Sequence, residues 1–266
     1  MQNPRIDIRK SLSLGSVGDR PLLGDLYLPG QSGGASRPAL VLIFGGGWKT
    51  GERSQQKVYG LALAQAGFVC LATDYRLSSE ARWPAQLDDV QNAIRWLRTH
   101  SEEFGIDPER IAVSGNSSGG HLALMAAATG DVVPASQDEV DANGLSGKVS
   151  AVCAFYPPTR LRDLDAESDD DTVATLLGAG ATAADYDRAS PLSYASKPFP
   201  PVLLLIGSDD QRVPVEHSWR LHDALQKAGN TVDLHVFAGQ GHAFDVERDF
   251  AQLSAVIMTD FFSRYV

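Results

Sequence analysis

Ser117 stands between Gly115 and Gly119 in the stretch 110–128, RIAVSGNSSGGHLALMAAA. The stretch opens with the apolar run 111–113, turns through glycine and serine, and leaves as an Ala/Leu/Met-rich segment of high helix propensity. Strand, tight turn, helix is the predicted order. In that setting G-x-S-x-G is a nucleophile elbow, a strained turn that holds a serine hydroxyl above a sheet. Glycine is needed where a Cβ would strike the adjoining strand or helix. Ser117 is therefore the candidate nucleophile. Ser114 and Ser118 are weaker rivals, since neither has glycine at both second neighbours.

A serine attacks a carbonyl carbon only with a base to take its proton, and the base in turn needs an orienting carboxylate. Beyond an elbow of this kind the partners follow in the order acid, then histidine, each just past a later strand. Of the six histidines, His242 alone lies in a Gly-rich loop, Gly239-Gln240-Gly241-His242, after a late apolar run at 234–237. His235 falls within that run, and His217 and His222 fall on a predicted helix. His100 ends a helix, where a cation suits the dipole, and His121 reads as packed behind the elbow. The preceding strand, 202–206, leads into Gly207-Ser208-Asp209-Asp210, so Asp209 and Asp210 compete as the acid. Asp245 is a third carboxylate, placed after the histidine. Gly45, Gly46 and Gly47 follow the apolar run 39–44, and backbone N–H groups left free there suit an oxyanion hole; a plain flexible loop is the simpler alternative.

The elements that must position these groups alternate regularly. Segment 22–29 pairs with what precedes it as an antiparallel hairpin closed by a Gly/Ser-rich turn at 30–36. Apolar runs at 39–44, 68–73, 111–113, 149–155, 201–206 and 231–237 read as strands, most of them covered on both faces. Helices are predicted at 54–66, 84–100, 215–228 and 247–265, the second with Leu87, Val90, Ala93, Ile94 and Leu97 on one face. The outcome is an α/β architecture, a mostly parallel sheet covered by helices. Segment 131–147 is polar. At 156–200 the pattern breaks down into prolines, acidic and small residues with a helical hint at 172–177, a lid or substrate-facing insertion or a plain surface excursion.

Composition narrows the classes. The 266 residues suit one large domain, with 43% hydrophobic and 21% charged residues, ordinary for a globular protein. No apolar stretch approaches the roughly 18 residues of a membrane span, and the N-terminus lacks a signal-peptide core, so a cytoplasmic location is expected. The net charge of −10 argues against nucleic acid and anionic membrane as partners. The acidic run 163–171 is expected to be a solvated loop, because calcium loops impose stricter spacing. Cys70 and Cys153 sit in apolar strands and are expected to be packed and reduced. Without a Cys/His cluster, no metal and no cofactor is implied.

Phe44-Gly45-Gly46-Gly47-Trp48, Asp74-Tyr75-Arg76-Leu77, Asp107-Pro108-Glu109-Arg110-Ile111, Gly115-Asn116-Ser117-Ser118-Gly119-Gly120-His121, Gly207-x-x-Asp210-x-x-Val213-Pro214 and Gly241-His242 together resemble an α/β-hydrolase. The nearest groups are the hormone-sensitive-lipase-like carboxylesterases and the acetyl-xylan or feruloyl esterase-like enzymes. The resemblance runs from about Asp25 to the C-terminus. It implies one α/β-hydrolase domain over 1–266, with a sheet of about eight strands and helices on both faces. Ser117 matches the nucleophile, Asp210 the acid and His242 the base, while the N–H groups of Gly46, Gly47 and Ser118 match the oxyanion hole. Two positions depart from the pattern. Phe44 replaces a histidine whose side-chain hydrogen bonds brace the glycine loop, so those bonds are missing; Ser118 replaces the usual alanine and keeps its N–H.

The reaction so implied is hydrolysis of short-chain, foremost acetyl, esters through an acyl-enzyme. A small-molecule ester is the expected partner, with an acetylated carbohydrate as one candidate and an oligomer left open. Trp48, Trp83 and Trp219 are candidates for stacking on sugar rings, Trp48 first, although packing is the plainer role for each. The same triad would serve an arylformamidase-like amide hydrolase or a prolyl-oligopeptidase-type peptidase, the latter disfavoured without a propeller-sized domain. A catalytically silent α/β-hydrolase acting as a binding protein is the alternative of a different class.

Overall fold

The computed structural model describes residues 5–30, 36–130, 145–167 and 171–266. The chain opens with an antiparallel hairpin, β1 (Asp7–Val17) and β2 (Arg20–Leu28), followed by β3 (Arg37–Ile43), α1 (Lys57–Gln65), β4 (Val69–Thr73), α2 (Ala85–Thr99) and α3 (Ser101–Phe104). Next come β5 (Ile106–Asn116), α4 (Ser118–Thr129), β6 (Val152–Phe155), and the short helices α5 (Leu161–Glu167), α6 (Thr172–Leu177) and α7 (Ala183–Arg188). The chain closes with β7 (Val202–Gly207), α8 (Glu216–Lys227), β8 (Val232–Phe237) and α9 (Arg248–Tyr265).

The strands form one eight-stranded sheet in the order β1-β2-β4-β3-β5-β6-β7-β8. The β1/β2 and β2/β4 pairs are antiparallel, and every pair from β4/β3 to β7/β8 is parallel. Successive side chains of β3 point to opposite faces. Ala39, Val41 and Ile43 join a core with Ile94 and Leu97 of α2, Leu122 of α4 and Leu221 of α8. Leu40 and Leu42 join another, with Leu63 of α1 and Met258 and Phe262 of α9. An unbroken apolar run is what two covered faces require. The Cys70 and Cys153 thiols are free and buried, and burial pushes both up in pKa.

The structure revises several boundaries. The strand expected at 149–155 covers only β6; before it, the Ser150 hydroxyl donates to the carbonyls of Glu109 and Ile111 at 2.9 and 3.2 Å. The region 156–200 carries α5, α6 and α7, each too short to repeat a buried face in the sequence. It still buries Leu161, Leu164, Val173, Leu176 and Ala189 in the core. Part of the expected acidic loop is helical: Asp163 lies in α5, paired with Arg160 and Arg220, and Asp171 immediately precedes α6 and pairs with Lys49. The turn residues 31–35, the polar stretch 131–144 and the acidic residues 168–170 lie outside the described residues. Among the described residues no helix is long and apolar enough to cross a membrane.

Candidate active site

Ser117 joins β5 to α4 with φ +53° and ψ −119°, a region that L-residues rarely occupy. Its N–H donates to the Phe155 carbonyl at 2.9 Å, and its own carbonyl accepts the His121 N–H at 2.9 Å, which starts α4. The flanking glycines are sterically required. A Cβ on Gly115 would lie 2.3 Å from the Gly119 oxygen, and one on Gly119 would lie 2.3 Å from the Ile43 oxygen. Strand and helix therefore close tightly around the turn, and Ser117 lines a cavity of about 850 Å³.

His242 lies past β8, in the loop before α9. Its Nε2 is 3.0 Å from Ser117 Oγ, and its Nδ1 is 2.7 Å from Asp210 Oδ2. A carboxylate on Nδ1 fixes the tautomer that donates from Nδ1 and accepts at Nε2. Asp210 is buried, and its Oδ1 accepts the N–H groups of Arg212 and Val213, both at 2.9 Å. Asp209 is exposed and accepts from Gln211, while of the two competing carboxylates Asp210 reaches the histidine. The loops that carry Asp210 and His242 are stitched together: the Asp209 N–H donates to the Gln240 carbonyl at 2.9 Å and the Gly239 N–H to Ser208 Oγ at 2.8 Å. Gly207 permits this approach, since a Cβ there would lie 2.1 Å from the Gln240 oxygen.

The glycine loop is held without the family's histidine. Phe44 stacks on Tyr75 with ring centroids 4.3 Å apart, the Tyr75 hydroxyl donates to the Phe44 carbonyl at 3.2 Å, and the Ser78 N–H donates to the Trp48 carbonyl at 2.8 Å. Lys49 and Thr50 N–H groups both close onto the Gly46 carbonyl at 3.1 Å. Gly46 has φ +135°, and a Cβ there would lie 2.0 Å from the Thr50 oxygen. Gly46, Gly47 and Ser118 line the cavity beside Ser117, and their N–H groups meet no protein acceptor among the described residues.

The tryptophans stand elsewhere than a stacking platform requires. Trp48 borders the cavity, but its ring is 1% exposed and packs edge-on to His121 with centroids 5.0 Å apart. Trp83 packs on the same imidazole at 5.4 Å, and Trp219 is exposed on α8. Neither Trp83 nor Trp219 lines the cavity. His121 is thus wedged behind the elbow, with its Nε2 donating to the Ala189 carbonyl at 2.7 Å, and burial pushes its pKa down to about 4. His217 is buried as well, accepting the Thr159 N–H at Nδ1, and burial likewise pushes it down to about 4.

One group near Ser117 and His242 escaped the sequence reading. Asp245, considered there only as an outside candidate for the acid, is buried in the cavity wall and accepts from the Tyr59 hydroxyl at 2.8 Å, the Asn116 amide at 2.6 Å and the Tyr156 hydroxyl. The Tyr156 ring packs against the His242 imidazole, centroids 4.5 Å apart. No motif announces these contacts, because they join positions far apart in the chain.

A mostly parallel eight-stranded sheet flanked by helices, with a serine elbow after its fifth strand, defines the chain as an α/β-hydrolase. Within that fold it belongs to the BD-FAE family, which it matches over residues 24–225. The match includes Ser117 and Asp210 and ends before His242. Esterase LipC of Mycobacterium tuberculosis is 35% identical over 224 residues, 79% of this chain and 54% of that protein. The chain spans a little over half the length of the curated relatives it matches. A truncated carbohydrate esterase from gut microbiota superposes with a TM-score of 0.83 at 26% identity, covering 98% of this chain and 96% of the other. The propionate-bound esterase Est2 of Thermogutta terrifontis gives 0.80 at 27% identity, covering 98% and 94%.

Proposed function

We propose that the chain is a serine carboxylesterase that hydrolyses short-chain acyl esters through an acyl-enzyme. The observation that carries this reading is the continuous relay Ser117 Oγ to His242 Nε2 to Asp210 Oδ2, at 3.0 and 2.7 Å, opening on a cavity bordered by free backbone N–H groups. His242 takes the Ser117 proton as the hydroxyl oxygen bonds to the acyl carbon, and the N–H groups of Gly46, Gly47 and Ser118 hold the oxyanion. The same proton then goes to the departing alcohol. Water adds in the second half-reaction with His242 again as base, and the acid leaves with Ser117 restored. Asp210 holds the imidazole tautomer throughout.

The names of the relatives support ester hydrolysis, and the carbohydrate esterase supports a sugar as the alcohol portion. A cavity of about 850 Å³ exceeds what an acetyl or propionyl group fills, so most of its room falls to the rest of the substrate. Lys49, Gln55 and Gln252 bring polar groups to its lining while Val58, Leu164 and Val246 keep part of it apolar. With the Trp48 ring buried, recognition of a sugar rests on those polar groups. The test is hydrolysis of p-nitrophenyl acetate, butyrate and octanoate and of an acetylated xylo-oligosaccharide by wild type and Ser117→Ala. The reading requires turnover that falls with chain length and vanishes in the mutant. Equal, background rates from both proteins on every ester would sink it in favour of an amide hydrolase or a binding protein.

A further inference from the structure

Asp245 has no task in the hydrolysis just described, yet it accepts from three donors, as many as Asp210 does. It is 8% exposed, and a carboxylate so placed is costly unless its lone pairs are used. Here three donors from three elements use them: Tyr59 from α1, Asn116 from the end of β5, and Tyr156 from the residue after β6. The Asn116 Oδ1 in turn accepts from Gln56 at 2.9 Å, which fixes the orientation of its amide.

Two of these contacts lead to a reacting group. Asn116 is covalently joined to Ser117, so its amide ties the carboxylate to the elbow. Tyr156 lays its ring on the His242 imidazole at 60° while its hydroxyl donates to Asp245. Asp245 lies three residues beyond His242, across Ala243 at φ +58°. The loop that carries the base is therefore pinned, through one side chain, to the strand that carries the nucleophile.

We propose that Asp245 is a positioning residue: its carboxylate, acting through the Tyr156 hydroxyl and the Asn116 amide, sets the His242 imidazole against Ser117, and its negative charge supports the imidazolium formed in each half-reaction. The proposal rests on the reading of Ser117, His242 and Asp210 as a hydrolytic triad. When His242 takes the Ser117 proton, a positive ring appears in a mostly buried position, where a second nearby anion counts for more than it would in open solution. The groups that face the ring and Asp245 are Asp210 from the loop after β7, Tyr156, Tyr59 from α1, the Cys153 thiol of β6, and Arg212 and Arg248 in the cavity lining. Burial pushes both hydroxyls and the thiol up, so they stay neutral across the working range. Burial also pushes Asp245 up, and the hydrogen bonds from Tyr156 and Tyr59 and the charge of His242 draw it back.

The experiment compares wild type, Ser117→Ala, Asp245→Asn and Tyr156→Phe on p-nitrophenyl acetate between about pH 5 and 9, with thermal melts of each protein. Asp245→Asn removes the charge and keeps the volume. It is expected to lower kcat about tenfold or more with KM within about twofold, and to move the acid limb of kcat/KM to lower pH by about half a unit or more. Tyr156→Phe keeps the charge and the ring but cuts the tether. It is expected to lower kcat several-fold without moving the acid limb to lower pH. A purely structural Asp245 would lower the melting temperature and the active fraction and leave the limb in place. A folded Asp245→Asn with the wild-type acid limb overturns the proposal. So does Tyr156→Phe with wild-type kcat, and that variant decides the matter if Asp245→Asn does not fold. If wild type is no faster than Ser117→Ala, the triad reading itself has failed, and the proposal falls with it.

Discussion

The backbone of Gly46 shows at single-residue scale why the glycine loop proposed to hold the oxyanion has this composition. At φ +135°, with its carbonyl accepting two N–H groups, it has no room for a Cβ, which would lie 2.0 Å from the Thr50 oxygen. Gly46→Ala is expected to displace the loop's donors and lower kcat on p-nitrophenyl acetate by about 10² to 10³ with little change in KM, as the loss of one oxyanion donor does; a wild-type kcat would place the oxyanion elsewhere. Ser117 and His242 were legible in the sequence because glycines at fixed offsets mark them. Asp209 and Asp210 were not separable on residue type alone, since both follow the same strand; the difference lies in a turn that aims the Arg212 and Val213 N–H groups at Asp210. Likewise Phe44 was legible as a departure, whereas its remedy, Tyr75, was visible only as part of a motif. Their stacking depends on how β3 and β4 end side by side.

At the scale of elements, the strands could be read because sheet burial on both faces leaves unbroken apolar runs in β3, β4 and β7. The long helices could be read from one-sided periodicity, as in α2. Helices of six or seven residues leave no period to read, which is why 156–200 looked irregular. That region borders the site: Leu164 of α5 and Thr172 of α6 line the cavity, and Lys49 of the glycine loop pairs with Asp171 at the start of α6. Leu164 is also a core residue, 8% exposed. Leu164→Ala is expected to cost about 2–3 kcal/mol of stability and to widen the cavity on this side. Thermal melts and the ratio of kcat/KM for octanoate over acetate check both effects, and a ratio unchanged from wild type would remove α5 from the substrate's path.

Over the whole molecule, two buried histidines couple stability to pH. His121 and His217 sit at about 4 in the fold against 6.5 outside it, so between those values the unfolded chain binds more protons. Their contribution is complete above about pH 6.5 and is lost as pH falls toward 4, by up to roughly 3 kcal/mol each. Asp89 and Asp245, which burial raises, pull in the opposite sense in the acid range. The melting temperature is expected to drop between pH 6.5 and 4, and His121→Gln to flatten that slope; parallel slopes would show that His121 does not couple to folding. The sheet sets β5, β6, β7 and β8 in consecutive order, so that three residues spread over 125 positions meet at one end of the strands. If this meeting makes Ser117 a nucleophile, a fluorophosphonate labels it covalently, and peptide mass spectrometry reads the adduct. One adduct is expected, on Ser117, absent from Ser117→Ala and strongly slowed in His242→Ala; an unlabelled wild type, or an adduct that persists in Ser117→Ala, would show that Ser117 is not the activated nucleophile.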